Sequence, residues 1–285
     1  MAAIGFVLHP DRDDAGELGA SLADWLVERG HDVRFPVEDA VRCGREELGC
    51  MDRDLMSGLD VLVGLGGDGT VLRAADRAVD EDVPVLGVNL GQLGYLTTVE
   101  PGQARVALKR FLAGSYELDE RMRLDCRVVR VDGSPELSRS ALNEALLERS
   151  ELGHTIRINV TLDGEPFTSY LADGMIVATP TGSTAYALSA RGPIVDPRHR
   201  AQVVVPVSPH MLFDRALVLE ASSEVRLTIQ GPRSAHLSLD GRSVGIVHDG
   251  DAVVCRAASA PTRLVRFGPP TFHRVLKEKF GLNDR

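Results

Sequence analysis

Residues 59–70 read Leu59-Asp-Val-Leu-Val-Gly-Leu65 and then Gly66-Gly-Asp-Gly-Thr70. A short apolar run that ends in glycines reads as a buried parallel strand followed by a tight turn. Glycine lets the backbone approach a bulky anion and adopt positive φ. The stretch after it, Thr70–Val79, has helical spacing, so its first N–H groups point at the same spot. One carboxylate, Asp68, stands in the middle. Backbone that welcomes phosphate around a lone acid fits two chemistries: deprotonation of a phosphoryl acceptor, or the holding of a metal.

The quintet is neither of the common glycine loops. It lacks the Lys-Ser/Thr that ends a Walker A sequence, and its spacing is not Gly-x-Gly-x-x-Gly. The plainer reading is a strand-turn-helix corner in which Asp68 only caps the helix.

Outward from this turn, the first hundred residues alternate strand and helix. Ile4–Leu8, His31–Phe35, Leu59–Leu65 and Pro84–Val88 read as strands. Asp14–Arg29 reads as a helix on the spacing of Leu18, Leu22, Trp25 and Leu26, and Glu46–Met56 as another. This rhythm implies a parallel sheet covered on both faces, with ligands bound beyond the carboxyl ends of its strands. Asp68 and Asn89 sit at such ends. From Glu117 to about Val254 the pattern changes to short alternating segments: Arg127–Val131, Thr155–Leu162, Met175–Ala178, Gln202–Val207, Glu224–Ile229 and Ala252–Arg256. Asp-Gly turns separate several of them, at 132, 163, 240 and 249. An antiparallel sandwich is expected there. The tail, Pro270–Gly281, reads as a final helix. The expected division is an α/β Rossmann-like unit over 1–116, a β-sandwich that holds the dinucleotide over 117–256, and a segment, 257–285, returning to the first unit.

Bulk properties narrow the partners. The chain has 285 residues, a net charge of −9, 44% hydrophobic and 26% charged residues, ordinary for a soluble globular protein. That charge argues against nucleic acid or an anionic membrane as the main partner. The N-terminal residues go straight into a strand-like run, so no secretory signal is read, and a cytoplasmic protein is expected. Cys43, Cys50, Cys126 and Cys255 form no Cys-x-x-Cys pair, which suggests free thiols rather than a zinc site. Cys43 and Cys50, seven apart, would share one helical face.

Three further stretches carry chemistry. Asn89-Leu-Gly-Gln-Leu-Gly94 puts an amide and two glycines at a strand end. Asn143-Glu144 is a polar pair inside the apolar run 141–147, costly to bury unless hydrogen-bonded. It suits ribose hydroxyls or an adenine edge, and equally the closing of a sheet corner. Thr179–Ala185 is a run of seven small, hydroxyl, Pro or Gly residues leading into Tyr186–Ala190. Thr181 or Ser183 would cap that helix, and Tyr186 would stack on a base.

The quintet 66–70, Asn89-x-Gly-x-x-Gly94, Asn143-Glu144 and Asp173-Gly…Thr179-Pro-Thr-Gly-Ser-Thr-Ala-Tyr186 resemble, in order and spacing, the NAD kinases. Pro206-Val-Ser-Pro-His210 and Arg215-x-Leu-Val218 resemble that family too. The resemblance implies a Rossmann-like first domain, a β-sandwich second domain and transfer of the γ-phosphoryl of ATP, or sometimes polyphosphate, to the adenosine 2′-hydroxyl of NAD. It implies a divalent metal, usually Mg²⁺, with no dedicated protein metal site assigned, and a homodimer or homotetramer. Carried over, Asp68 is the base, and Gly66, Gly67, Gly69, Thr70 and Asn89 line the phosphates. Arg73 meets phosphate one turn into the helix. Asn143 and Glu144 hold the adenosine. Gly69, Asp173, Thr184, Ala185, Tyr186, Ser189, His154 and Ser208 complete the substrate contacts. Four positions depart from the family pattern: Leu171, where a basic residue is common; Arg191, within the usual Ser-Ala-Gly-Gly-Pro; Ala216, for proline; and Arg242, for glutamine. Arg242 is expected either to border the dinucleotide, with Arg191, in place of the cation absent at 171, or to be a solvated turn residue. Two other readings remain: a kinase on the same scaffold with another hydroxyl acceptor, and a non-catalytic NAD(P)-binding regulator.

Overall fold

Strand β4, Val61–Gly66, is buried along its whole length. A strand covered on both faces needs no polar alternation, which is why it reads as a continuous apolar run. The computed structural model describes residues 1–134, 137–269 and 272–282. Along the chain come β1 (Ala3–Leu8), α1 (Asp13–Val27), β2 (Asp32–Pro36), α2 (Val37–Cys43), β3 (Gly49–Cys50), α3 (Asp52–Met56), β4, α4 (Asp68–Ala78), β5 (Val85–Asn89), α5 (Ala104–Leu112) and β6 (Glu117–Arg121). Then follow β7 (Leu124–Val129), β8 (Leu137–Ala141), β9 (Glu144–Arg149), β10 (Ile156–Leu162), β11 (Glu165–Ala172) and β12 (Gly174–Ala178). After α6 (Tyr186–Ser189) come β13 (Ala201–Val207), β14 (Leu217–Glu220), β15 (Val225–Gln230), β16 (Ala235–Leu239), β17 (Arg242–Val247) and β18 (Ala252–Ala257). The chain ends with β19 (Thr262–Arg266) and α7 (Phe272–Lys279).

Two compact units result. The first takes residues 1–120 and 262–285, the second 121–261. The first holds a seven-stranded sheet in the order β3-β2-β1-β4-β5-β19-β6. Strands β1 to β5 pair parallel, and β19 pairs parallel with β5. The chain steps outward from β1 to β3 and then crosses to β4 on the other side, so the order reverses between β1 and β4. Ligands of open α/β sheets bind at the carboxyl ends of the strands beside such a reversal, and the glycine turn of β4 lies there. Helix α1 buries Ala15, Gly19, Leu22 and Leu26, a stripe at helical spacing, and Asp13 and Asp14 in its first turn suit the positive end of its dipole.

The second unit stacks two antiparallel six-stranded sheets, β11-β10-β15-β18-β7-β8 and β14-β13-β12-β9-β16-β17. One apolar core draws on both: Leu124, Ile158 and Leu227 from the first, Leu147, Met175, Val177 and Leu237 from the second. Alternate residues face inward, as a half-buried strand requires.

The sequence reading needs correction in places. No single helix spans Glu46–Met56. A short 3₁₀ turn, Glu46–Leu48, gives way to β3, which pairs Phe35 with Gly49 and Pro36 with Cys50; only Asp52–Met56 is helical. An unpaired sheet edge captures the segment, and the Arg34 guanidinium closes α3 by donating to the Asp54 and Ser57 carbonyls. Cys43 ends α2 and Cys50 lies in β3, so they share no helical face. All four cysteines are free thiols, with Cys126 and Cys255 directly opposite on β7 and β18. The expected tail helix begins at Phe272 within the described residues; Pro270 and Thr271, and the end of the expected segment 257–285 beyond Leu282, lie outside them. Strand β19, ahead of that helix, has no counterpart in the sequence reading.

Candidate functional site

In the first unit the chemistry gathers at the end of β4. Gly67 is extended and caps α4 without a side-chain bond, so Asp68 is the first helical residue rather than the cap. Its carboxylate turns away from its own helix. Oδ2 accepts the Tyr95 N–H at 2.8 Å, and Oδ1 accepts those of Leu96 and Thr97 at 2.9 and 3.3 Å. The capping reading of Asp68 therefore fails. Gly94 is required here: a Cβ on it would lie 2.2 Å from Asp68 Oδ1. Two oxygens offer about four acceptor positions, and three are used. The remaining one is on Oδ2, and the residue is half-buried.

The neighbours form a cradle. Leu90 N–H donates to the Gly66 carbonyl at 2.9 Å, which ties the two loops together. Asn89 is buried, and its Oδ1 accepts the Gly91 N–H at 3.1 Å. Gly69 is exposed, and Thr70 is buried with a hydroxyl that has no partner. Thr97 Oγ1 is likewise buried and unpartnered. Arg73 donates through Nη2 to the Leu8 carbonyl. It also faces Asp39, whose carboxylate accepts the Leu8 N–H at 2.9 Å. Burial pushes the Asp39 carboxyl up, against the pull of that amide and of Arg73. Arg73 is thus engaged at the end of β1.

In the second unit a similar construction holds the Asn143–Glu144 pair. Asp240, in left-handed backbone at φ 47, accepts the Leu142, Asn143 and Glu144 N–H groups at 2.7, 2.7 and 3.1 Å. Its own N–H donates to the Glu144 carbonyl at 3.1 Å. The other side is fixed by the hydroxyl-rich run. Thr179 N–H donates to the Asn143 carbonyl at 2.8 Å, and Thr179 Oγ1 donates to the Leu142 carbonyl at 2.6 Å. Gly182 packs so tightly that a Cβ would stand 2.0 Å from the Asn143 oxygen.

Glu144 is buried and its Oε2 has no partner. Burial, and then the charge of Asp240, push its carboxyl up to about 8. Asp240 is raised by its own burial, against the three amides and Arg123. Two adjoining carboxyls in one buried place do not both ionise readily. The amides favour charge on Asp240, so Glu144 carries the proton near neutrality.

The rest of the run behaves differently from the sequence reading. Neither Thr181 nor Ser183 caps α6, which begins after Ala185 with no side-chain cap. Ser183 Oγ donates to the Pro180 carbonyl at 2.6 Å and accepts the Val195 N–H at 3.0 Å. Thr181 Oγ1 is buried and unpartnered. Thr184 donates to the Thr181 carbonyl at 3.2 Å. Small groups are needed here because the chain folds back on itself. Tyr186, Ser189 and Ser208 come together around a cleft of about 490 Å³, with Arg191, Met211 and Asp214 on its rim. Ala185 is half-buried just before it. Asp173 pairs with Arg149 at 3.2 Å, and its backbone bridges Val207 and Arg149. His154 is exposed on the β9–β10 connection. Among the departures, Leu171 is half-buried in β11, Ala216 packs on a small apolar cluster, and Arg242 opens β17 on an exposed turn.

Two supports were missed in the sequence: Asp240, read only as half of an Asp-Gly turn, and the Tyr95–Thr97 amides. The first left a signal, an acid before glycine in the segment that follows a buried strand. The second left none, since any residue supplies a backbone N–H.

The chain matches two family descriptions, the ATP-NAD kinase N-terminal domain over residues 4–116 and the ATP-NAD kinase C-terminal domain over residues 142–267. It is 42% identical over 283 residues to the NAD kinase of Heliobacterium modesticaldum, covering 98% of each chain. To the NAD kinase of Symbiobacterium thermophilum it is 38% identical over 280 residues, covering 98% of this chain and 99% of the other. Among solved structures, yeast NADH kinase complexed with NADH superposes with a TM-score of 0.91 at 26% identity, over 100% of this chain and 89% of that one. An NAD kinase from Archaeoglobus fulgidus in complex with ATP shares the fold, with a TM-score of 0.75 at 24% identity over 99% of this chain and 100% of that one.

Proposed function

The chain belongs to the NAD kinase family, and from that premise we propose how its own residues carry out the reaction. It is an ATP-dependent NAD kinase, and NADP is the product. The relatives match over nearly their whole length, so neither another acceptor nor a purely regulatory role is favoured.

The observation that carries the mechanism is the clasped Asp68. Three amides fix its carboxylate, and the one open acceptor position on Oδ2 receives the 2′-hydroxyl of adenosine. As the 2′-oxygen bonds to the γ-phosphorus, its proton passes to Oδ2. The bond from the γ-phosphorus to the β–γ bridging oxygen breaks, and ADP leaves. The N-terminal amides of α4, with Gly66, Gly67, Gly69, Thr70 and Asn89, face the phosphates, and Arg73 adds positive charge nearby. Asn143 and Glu144 hold the adenosine. Asp173, Thr184, Ala185, Tyr186, Ser189, Ser208 and His154 complete the dinucleotide contacts, with Arg242 at the border. The domain roles follow the same division, phosphates on the α/β unit and dinucleotide on the sandwich.

The residues suit a divalent ion that arrives with ATP. Among the described residues no group of three or more His, Cys, Asp or Glu is placed to hold a metal. Mg²⁺ commonly takes one or two carboxylates, water and substrate phosphates. With the open position of Asp68 given to the 2′-hydroxyl, the substrate phosphates and water would supply most of its ligands, and the unpartnered Thr70 and Thr97 hydroxyls are the protein oxygens nearby. Such an ion would neutralise charge on the transferred phosphoryl group. No described helix is long and apolar enough to cross a membrane, and we place the enzyme in the cytoplasm as a homodimer or homotetramer. The test is ADP formation by the purified chain with ATP and Mg²⁺ against NAD, NADH and a panel of small polyols. Turnover is expected with a dinucleotide; turnover with a polyol alone would overturn the assignment of the acceptor.

A further inference from the structure

We propose that Asp240 is a positioning residue of the dinucleotide site: its carboxylate holds the Leu142–Glu144 backbone so that the Asn143 and Glu144 side chains meet the adenosine. The inference rests on the reading of Asn143 and Glu144 as adenosine contacts and adds the residue that aims them.

The geometry is specific. One side chain collects three consecutive N–H groups, two of them at 2.7 Å. Consecutive amides converge on one point only where the strand has not yet begun, and β9 starts at Glu144. Asp240 accepts left-handed backbone to reach them, a conformation uncommon outside glycine. Its N–H closes the ring on the Glu144 carbonyl. Thr179 and Gly182 press two of these residues, Leu142 and Asn143, from the other side. The segment is therefore clamped twice, and a shift at Asp240 moves both side chains at once.

A second observation points to a ligand. Glu144 is 8% exposed, and its Oε2 has no protein partner. A buried carboxyl oxygen left open at the end of a clamped segment is costly unless something else meets it. The charges around Asp240 fit the role. Arg123, fully buried and bonded to Ser140 Oγ at 2.8 Å, favours its ionised form, as do the three amides. Glu144 is the acid beside it and holds the proton.

The experiment measures steady-state kinetics of the full chain with ATP and NAD. Asp240→Asn leaves an NH₂ facing at least one of the amides. It is expected to raise KM for NAD by about tenfold or more, with KM for ATP moving by less than about twofold. A merely structural role predicts the opposite pattern, equal loss in both substrates in proportion to the unfolded fraction seen in thermal melts, and that result would overturn the proposal. Removing the partner of buried Arg123 costs stability. If the variant does not fold, Asp240→Glu decides: it keeps a carboxylate near Arg123 but lengthens the arm by one carbon and so displaces residues 142–144, and an unchanged KM for NAD there overturns the proposal. Asn143→Ala and Glu144→Gln are run in parallel. If they too leave KM for NAD unchanged, the adenosine reading has failed; if they raise it while Asp240→Asn does not, only the positioning role has failed.

Discussion

Asp68 and Asp240 use one construction in two units of the molecule. Each is an acid beside glycine, and each accepts three consecutive backbone N–H groups. Their surroundings differ. Asp68 is half-exposed at the end of a parallel strand, so one acceptor position stays open to a substrate. Asp240 lies in a turn of the sandwich next to a second buried acid, so its charge is spent on holding the backbone. Asp251 supplies a third case. It accepts the Val131 and His248 N–H groups and the Arg130 guanidinium. Burial pushes its carboxyl up, but those donors outweigh it and hold it below the usual range. In the roles proposed for Asp68 and Asp240, the same clasp serves presentation, positioning or plain scaffolding, according to what is left over once the amides are satisfied.

The strongest way to break this comparison is at Asp68. Asp68→Asn keeps the shape but removes the proton acceptor, and kcat is expected to fall by about 10²–10⁴-fold. The new NH₂ meets an amide N–H of residues 95–97, so a stability loss of about 1–2 kcal/mol should accompany it in thermal melts. Near-normal turnover would remove Asp68 from proton transfer and make its clasp scaffolding like that of Asp251.

The two glycines that permit the clasps sharpen the contrast. Gly94→Ala drives a Cβ toward Asp68 Oδ1, and Gly182→Ala drives one into the Asn143 carbonyl. Each is expected to cost about 1–3 kcal/mol of stability. Kinetics should separate them, with kcat falling in the first and KM for NAD rising in the second. Identical kinetic signatures would show that the two regions do not divide the work as described.

A smaller effect, and a signed one, is expected at Glu144. Its folded carboxyl sits at about 8 against an ordinary 4.5. The folded state therefore binds a proton that the unfolded chain has released, and stability falls as pH rises through that window, then levels off. Glu144→Gln removes this slope. Its unfolding free energy should gain on the wild type from pH 4.5 to 8, by an amount on the order of 1–2 kcal/mol after relaxation, read from denaturant titrations at each pH. Parallel curves would mean that Glu144 is ionised throughout. The smallest effect is expected at Arg242→Gln. This exposed guanidinium should change KM for NAD by only about twofold; no change would leave the cation missing at Leu171 without a replacement.

Much of this was legible before the structure. Strands β1, β4 and β5 of the first sheet are continuous apolar runs because both faces are covered, and the glycine turn and the hydroxyl-rich run advertise themselves by composition. What stayed hidden has a common cause. Asp240 reaches Leu142 across 98 positions of sequence, and the receiving end shows only main chain. Strand β3 forms because a sheet edge is free, not because Gly49-Cys50 favours extension. The hydroxyls of Thr181 and Ser183 were read as helix caps, yet Ser183 satisfies the chain folding back at Val195, a distance that local rules do not cover.

Strand β19 has a consequence for how the molecule is made. It lies between β5 and β6, yet it is translated after the whole second unit. Just before it is added, β5 has an open edge, and the loop that grips Asp68 lacks two props: the Val265 carbonyl that receives the Thr98 hydroxyl, and the Phe272 ring of α7 beside Tyr95. A growing chain can close its sandwich while still on the ribosome, but the loop whose amides hold the Asp68 carboxylate gains these two supports only from residues that follow the second unit. A product stopped at Pro261 contains every residue of both clasps and is expected to show no kinase activity, which release assays on truncated chains can read. With Asp68 in its proposed role, the order of strands in one sheet makes activity wait for a segment synthesised after the whole sandwich.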